Sequence, residues 1–181
     1  MLRTKKLIWI LLATFLISGC TKNNTNPCDI LSKTYTKIDM ETDQQICFES
    51  VDSYDLNYND KPDITIYGNL SFPDIKKEEY NAVILSHGSG GIRKYHKAYV
   101  ELLNDNGYVV FQLDHYRARK IRYDKTFSKV SGITFMNDAY KALELIKSHP
   151  KIKKVSYIGW SQGGVGPILS HFKSVTDLIN N

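Results

Sequence analysis

The chain has 181 residues, 42% of them apolar and 12% aromatic, which suits one folded domain and argues against a disordered chain or a second domain. Three cysteines are too few for a disulfide-dense mini-protein. The 24 basic against 19 acidic side chains give a net charge of +5, which on its own points to an anionic partner such as nucleic acid.

The N-terminus accounts for most of that excess. Arg3, Lys5 and Lys6 precede an apolar run from Leu7 to Ile17 broken only by Thr14, the shape of a secretory signal and short for a bilayer span. The run closes on Ile17-Ser18-Gly19-Cys20, which resembles the bacterial lipobox: an aliphatic residue and two small ones before a cysteine that is lipidated and becomes the first mature residue. Residues 1–19 are therefore expected to be a lipoprotein signal peptide. The expected product is exported and held at a membrane of the bacterial cell envelope by lipid on Cys20. Without residues 1–19 the count is 21 basic against 19 acidic, a net charge of +2, and nucleic acid drops out as an expected partner.

With Cys20 lipidated, Cys28 and Cys47 remain as a pair in an oxidising compartment and are expected to form a disulfide pinning the N-terminal segment to the first strand. Thr21 to Pro27 is polar and turn-rich. Residues 20–44 are assigned to the lipidated cysteine and its tether, and 45–181 to the domain. Ile46 to Ser53 reads as a strand, Asp55 to Asp63 as turn chemistry, and Ile64 to Phe72 as the returning strand of an antiparallel hairpin. Ala82 to Ser86 is a continuous apolar run, as expected of a strand covered on both faces. Tyr95, Tyr99, Leu102 and Leu103 predict the buried face of a helix that stops at Asn106-Gly107.

Tyr108 to Leu113 is the next buried strand. Met136, Ala139, Tyr140, Leu143 and Ile146 mark a second amphipathic helix ending before Pro150. Val155 to Trp160 is a third buried strand, with another helix expected within Gly163 to Ile179. Strands alternating with helices predict an α/β fold with a mostly parallel sheet and helices on both faces.

Gly159-Trp160-Ser161-Gln162-Gly163 sits where the third buried strand meets the next helix, the context of a nucleophile elbow. Such a turn admits only small residues two places either side of Ser161. It points the N–H of Gln162 and a helix N-terminus at the same space. His87-Gly88-Ser89-Gly90-Gly91 follows the earlier strand, and its glycines allow close backbone approach to a ligand. A phosphate-binding loop is excluded there because no Gly-Lys-Ser/Thr follows. His87 is expected to be a structural hydrogen-bonding residue rather than a general base.

The run ILSHGSGGIRKYHKAYVELLNDNGYVVFQLD, with VSYIGWSQGG further on, resembles the dienelactone hydrolase group of the α/β-hydrolase superfamily over roughly residues 46 to 172. The resemblance implies hydrolysis of a carboxylic ester or lactone through an acyl-enzyme on Ser161. The N–H groups of Gln162 and of Ser89, after Gly88, would form the oxyanion hole. Asp114-His115-Tyr116 with Arg119 looks like the family's loop after the fourth strand, with Lys120 in place of a glycine.

The family's triad places acid and then base after the serine. Here His171 and Asp177 follow in reversed order, and His171 would lie about 15 Å down a helix from Ser161. The chain is expected to be incomplete at the C-terminal end relative to that family and weak or inactive, leaving one side of the VSYIGW strand as an exposed edge. His96 and Asp114 are weighed as substitutes for base and acid. Arg117, Arg119, Lys120 and Arg122 form a basic cluster that could attract a carboxylate or anionic lipid, or be a solvated loop. No metal-ligand spacing occurs, and no metal or other cofactor is expected. The alternative function is a non-catalytic membrane lipoprotein binding a small acyl ligand or a protein. A further reading is an interrupted frame in which residues after Phe172 are foreign to the fold.

Overall fold

A computed structural model describes residues 26–31, 33–52 and 61–169. The signal segment, Cys20, His171, Phe172 and Asp177 lie outside the described residues, as does most of the Asp55–Asp63 turn. In chain order the elements are α1 (Pro27–Leu31), β1 (Gln44–Ser50), β2 (Ile64–Ser71), β3 (Tyr80–Ser86) and α2 (Lys94–Asp105). They continue with β4 (Val109–Asp114), α3 (Gly132–Lys147), β5 (Ile152–Gly159), a 3-10 turn at Ser161–Gly164 and α4 (Val165–Leu169).

The five described strands form one sheet in the order β1-β2-β4-β3-β5. β1 and β2 pair antiparallel, with Cys47 opposite Tyr67, and β2 pairs antiparallel with β4. β4, β3 and β5 run parallel. The sheet is thus mixed: the parallel arrangement expected for most of it covers β4, β3 and β5, and the hairpin side is antiparallel. The fold class is α/β.

β3 and β4 are the inner parallel strands, which explains their unbroken apolar runs. Alternate side chains of each face opposite layers. On one face Ile84, Phe111 and Leu113 pack with Ala142, Leu145 and Ile146 of α3. On the other, Val83, Leu85 and Val110 meet Val100 and Leu103 of α2 together with Trp160.

The buried face of α2 differs from the expected one. Tyr95, Tyr99 and Leu102 are 47%, 42% and 56% exposed, whereas His96 is buried and Val100 and Leu103 are half-buried. The two stripes have the same i, i+4, i+7 spacing, so periodicity alone does not choose between them. His96 decides. Its Nδ1 accepts the Arg93 N–H at the start of the helix, 2.8 Å away, and its ring lies edge-on to Trp160. Gly107 ends the element with φ +80°, a conformation that favours glycine.

Cys28 in α1 and Cys47 in β1 are joined by a disulfide with Cα atoms 5.7 Å apart. The segment before β1 packs on the domain: Ile38 is in the main core, and its N–H donates to Ser148 Oγ after α3. The packed structure therefore begins ahead of residue 45. At the other end of the sheet β5 pairs with β3 alone among the described strands, and its Ile158 is 39% exposed.

Candidate functional site

β5 ends at Gly159, and two residues later Ser161 stands exposed at the carboxyl edge of the sheet with φ +51°. A serine pays a steric cost in that region, so the surroundings must impose it. Both flanking glycines are needed for it. A Cβ on Gly159 would lie 2.1 Å from the Gly163 carbonyl oxygen, and a Cβ on Gly163 would lie 2.6 Å from the His87 carbonyl oxygen. The Gly163 N–H donates to the Trp160 carbonyl and closes the turn. Gln162 is buried, its Oε1 accepting from Tyr116 Oη at 2.6 Å and its Nε2 donating to the Val130 carbonyl at 2.7 Å. That side chain fixes the peptide following Ser161.

The loop after β3 lies against this turn. A Cβ on Gly88 would meet the Trp160 carbonyl oxygen at 2.9 Å and Ser161 Cβ at 3.1 Å, so the two motifs touch. Gly91 has φ +73°, and its N–H donates to the Gly88 carbonyl. Gly90 is packed by the Arg93 guanidinium, and the Ser89 carbonyl accepts from the Asp124 N–H. His87 is buried; its Nδ1 donates to the Gly88 carbonyl at 2.7 Å while Nε2 accepts the His115 N–H at 3.1 Å. Both ring nitrogens are thereby occupied.

Beneath the two loops runs a buried polar chain whose members the sequence reading did not single out together. Ser86 Oγ lies 2.6 Å from His115 Nε2, and His115 Nδ1 lies 2.7 Å from Asp138 Oδ2 in α3. Arg119 grips both carboxylate oxygens of Asp138 at 2.9 and 3.1 Å, bonds the His115 carbonyl, and reaches Asp52 with Nε at 2.8 Å. Ser50 of β1 donates to Asp138 Oδ1.

Burial drives the His115 imidazole down to about 4 against the opposing pull of Asp138. Burial also opposes ionisation of Asp138, but the Arg119 charge and the His115 bond outweigh it and hold the carboxyl below its usual range. The pair is therefore neutral imidazole beside carboxylate. His115 Nδ1 donates to Asp138, and Nε2 accepts the Ser86 hydroxyl proton. Ser86, His115 and Asp138 are wholly buried, so the chain has the connectivity of a catalytic triad without access to a substrate.

Asp114 is buried at the end of β4, where it accepts from Tyr67 Oη, the Tyr116 N–H and the Arg117 N–H. Burial raises its carboxyl, yet the Arg117 and Tyr116 backbone N–H groups help hold it well below the usual range. Its bonds to the Tyr116 and Arg117 N–H groups organise the start of the loop after β4. His96 is likewise committed to α2: its Nδ1 bonds Arg93, its Nε2 is buried without a partner, and burial lowers its basicity. Among the described residues no hydrogen bond reaches Ser161 Oγ.

The basic cluster resolves into different environments. Arg119 has a side chain only 4% exposed and belongs to the buried chain, so it is no part of a solvated loop. Arg117, Lys120 and Arg122 are exposed, and Arg117 donates to Tyr67 Oη. Lys120 has φ +57°, the backbone for which a glycine is suited. An apolar cleft of about 210 Å³ lies elsewhere, between α3, β5 and α4, lined by Met136, Leu143, Val155, Tyr157 and Pro167.

The signal for the buried chain was present in the sequence but dispersed. Ser86 directly precedes the His-Gly motif and His115 directly follows Asp114, while Asp138 sits in a helix read for its apolar face. No spacing rule links three such positions.

No family model matches the chain, and no curated protein matches it. Solved structures resemble it. A dienelactone hydrolase-like promiscuous phosphotriesterase from metagenomic libraries is 17% identical with a TM-score of 0.50, covering 68% of this chain and 51% of that one. Est1E from Butyrivibrio proteoclasticus is 20% identical with a TM-score of 0.49, covering 59% and 40%. The dienelactone hydrolase from Anabaena variabilis is 18% identical with a TM-score of 0.45, covering 71% and 57%. The chain spans about half the length of these structures, and the likeness to the first of them agrees with the α/β fold.

Proposed function

We propose that the chain is a serine hydrolase of the dienelactone hydrolase type, cleaving a carboxylic ester or lactone through an acyl-enzyme on Ser161. The observation that carries this reading is the exposed Ser161 at φ +51° between two glycines that admit no Cβ. Ser161 Oγ adds to the ester carbonyl, and the tetrahedral oxyanion faces the N–H groups of Gln162 and of Ser89 after Gly88. The intermediate collapses by expelling the alcohol with a proton, and water then releases the acid.

Ser161 needs an acceptor for its proton, and each described histidine near the two loops is otherwise bonded or buried. Turnover by this chain is accordingly weak. With p-nitrophenyl acetate, hydrolysis should exceed the uncatalysed rate and vanish in Ser161→Ala. Equal rates for the two proteins would favour the second reading, a non-catalytic lipoprotein that binds a small acyl ligand or a protein, which the lack of a hydrogen bond to the Ser161 hydroxyl among the described residues supports. Both readings place the protein in the bacterial cell envelope, anchored through lipid on Cys20. Cys20→Ser should move exported protein from the membrane fraction to the soluble one, and retention at the membrane would contradict the anchor.

A further inference from the structure

We propose that Ser86, His115, Asp138 and Arg119 form a positioning relay that holds the His87–Gly91 loop and the Trp160–Gly163 turn in register around Ser161. This rests on the reading of Ser161 as the nucleophile.

The relay begins on three separate elements and ends at one contact. Asp138 comes from α3 and is clamped by Arg119 through both oxygens, which fixes the carboxylate plane. Asp138 sets the orientation and tautomer of His115, whose ring is also stacked on Phe135 with centroids 3.9 Å apart. His115 then presents Nε2 to Ser86 Oγ.

Ser86 is where the two loops meet. Its carbonyl accepts the Trp160 N–H at 3.1 Å, and a Cβ on Gly163 would lie 2.8 Å from its Oγ. The same His115 uses its backbone N–H to hold the His87 ring, which in turn bonds the Gly88 carbonyl. One residue therefore contacts both backbone segments: the His115 imidazole reaches Ser86 beside the elbow, and the His115 backbone N–H reaches the His87 ring beside the glycine loop. Ordinary core packing does not need this. Apolar side chains would fill the same space without three buried polar groups that must all be satisfied.

Ser50 supplies the control. It bonds the same Asp138 from β1 and is equally buried, and its side-chain bond leads to Asp138 rather than to either loop. If the chain serves stability alone, Ser86→Ala and Ser50→Ala behave alike. If it positions the loops, they diverge.

The test compares the full exported chain with these two variants and with His115→Gln, using thermal unfolding, backbone amide hydrogen exchange and the rate of labelling by a fluorophosphonate. Ser86→Ala and His115→Gln should slow labelling about ten- to a hundredfold, the scale of a small misplacement of a reacting group. They should also speed amide exchange at Gly88–Gly91 and Gln162–Gly163. Ser50→Ala should leave both readouts close to wild type at a comparable loss of Tm. Parallel behaviour of Ser86→Ala and Ser50→Ala, or unchanged exchange at those amides, would overturn the relay. Exchange altered as expected in a wild type that does not label at all would uphold the relay while refuting the nucleophile reading on which it was built.

Discussion

Ser161 and Lys120 both hold positive φ, at 51° and 57°, but for different ends. A non-glycine residue in that region costs about 1–2 kcal/mol. At Lys120 the cost closes a turn, with its N–H on the Arg117 carbonyl and the Ile121 N–H on the Tyr116 carbonyl. Nothing in that turn needs a lysine side chain. Lys120→Gly should therefore raise stability by about 1 kcal/mol in urea unfolding and leave Ser161 labelling unchanged; a loss of stability would show that the turn is not strained. At Ser161 the strain lifts the hydroxyl clear of the sheet. Ser161→Gly should raise Tm while abolishing labelling, the opposing signs expected where strain serves a function. A fall in Tm would mean that the elbow is not held under strain.

The elements show which parts of the chain announced themselves. The motif Gly-Trp-Ser-Gln-Gly was legible because it sits between an apolar strand and a helix start, and Gly159 and Gly163 have no space for a Cβ. The face of α2 was not legible. Its tyrosines can lie at a surface with their hydroxyls in water, while His96, polar on any scale, is buried as part of the helix start. The dispersed partners Ser86, His115 and Asp138 were invisible for another reason: tertiary folding, not spacing, brings them together. The Cys28–Cys47 disulfide ties α1 to β1, where Asn26 Nδ2 also donates to the Thr65 carbonyl. Its partners are 19 residues apart, a loop whose removal costs roughly 3 kcal/mol in the chain-entropy description. The Cys28→Ser/Cys47→Ser variant should lose about that much stability in urea. An unchanged midpoint would indicate that the N-terminal segment is held by its other contacts.

At the scale of the whole molecule, stability is linked to pH through the buried imidazole. His115 is faced by Asp138 from α3, by Arg119 with its partner Asp52, and by the His87 ring from the end of β3. Its proton affinity falls from an ordinary 6.5 to about 4 on folding. Between those values the unfolded chain takes up a proton that the folded chain refuses, so stability present above pH 6.5 is lost as pH falls towards 4. The loss amounts to roughly 3 kcal/mol, and the lowered basicity of His96 and His149 acts in the same direction. Urea midpoints should therefore drop on acidification from pH 7 to 5, with a shallower slope in His115→Gln. A flat profile, or the same slope in both proteins, would contradict a neutral buried His115.

The proposed reactive group of this fold is the exposed serine on its strained strand-to-helix turn. The most direct test is the site of covalent modification: the purified chain is treated with a fluorophosphonate, digested, and the adduct located by mass spectrometry. A single adduct is expected on the peptide containing Ser161, lost in Ser161→Ala, with Ser86 and Ser89 unmodified. An adduct on Ser86 or Ser89, or none on Ser161, would contradict this assignment.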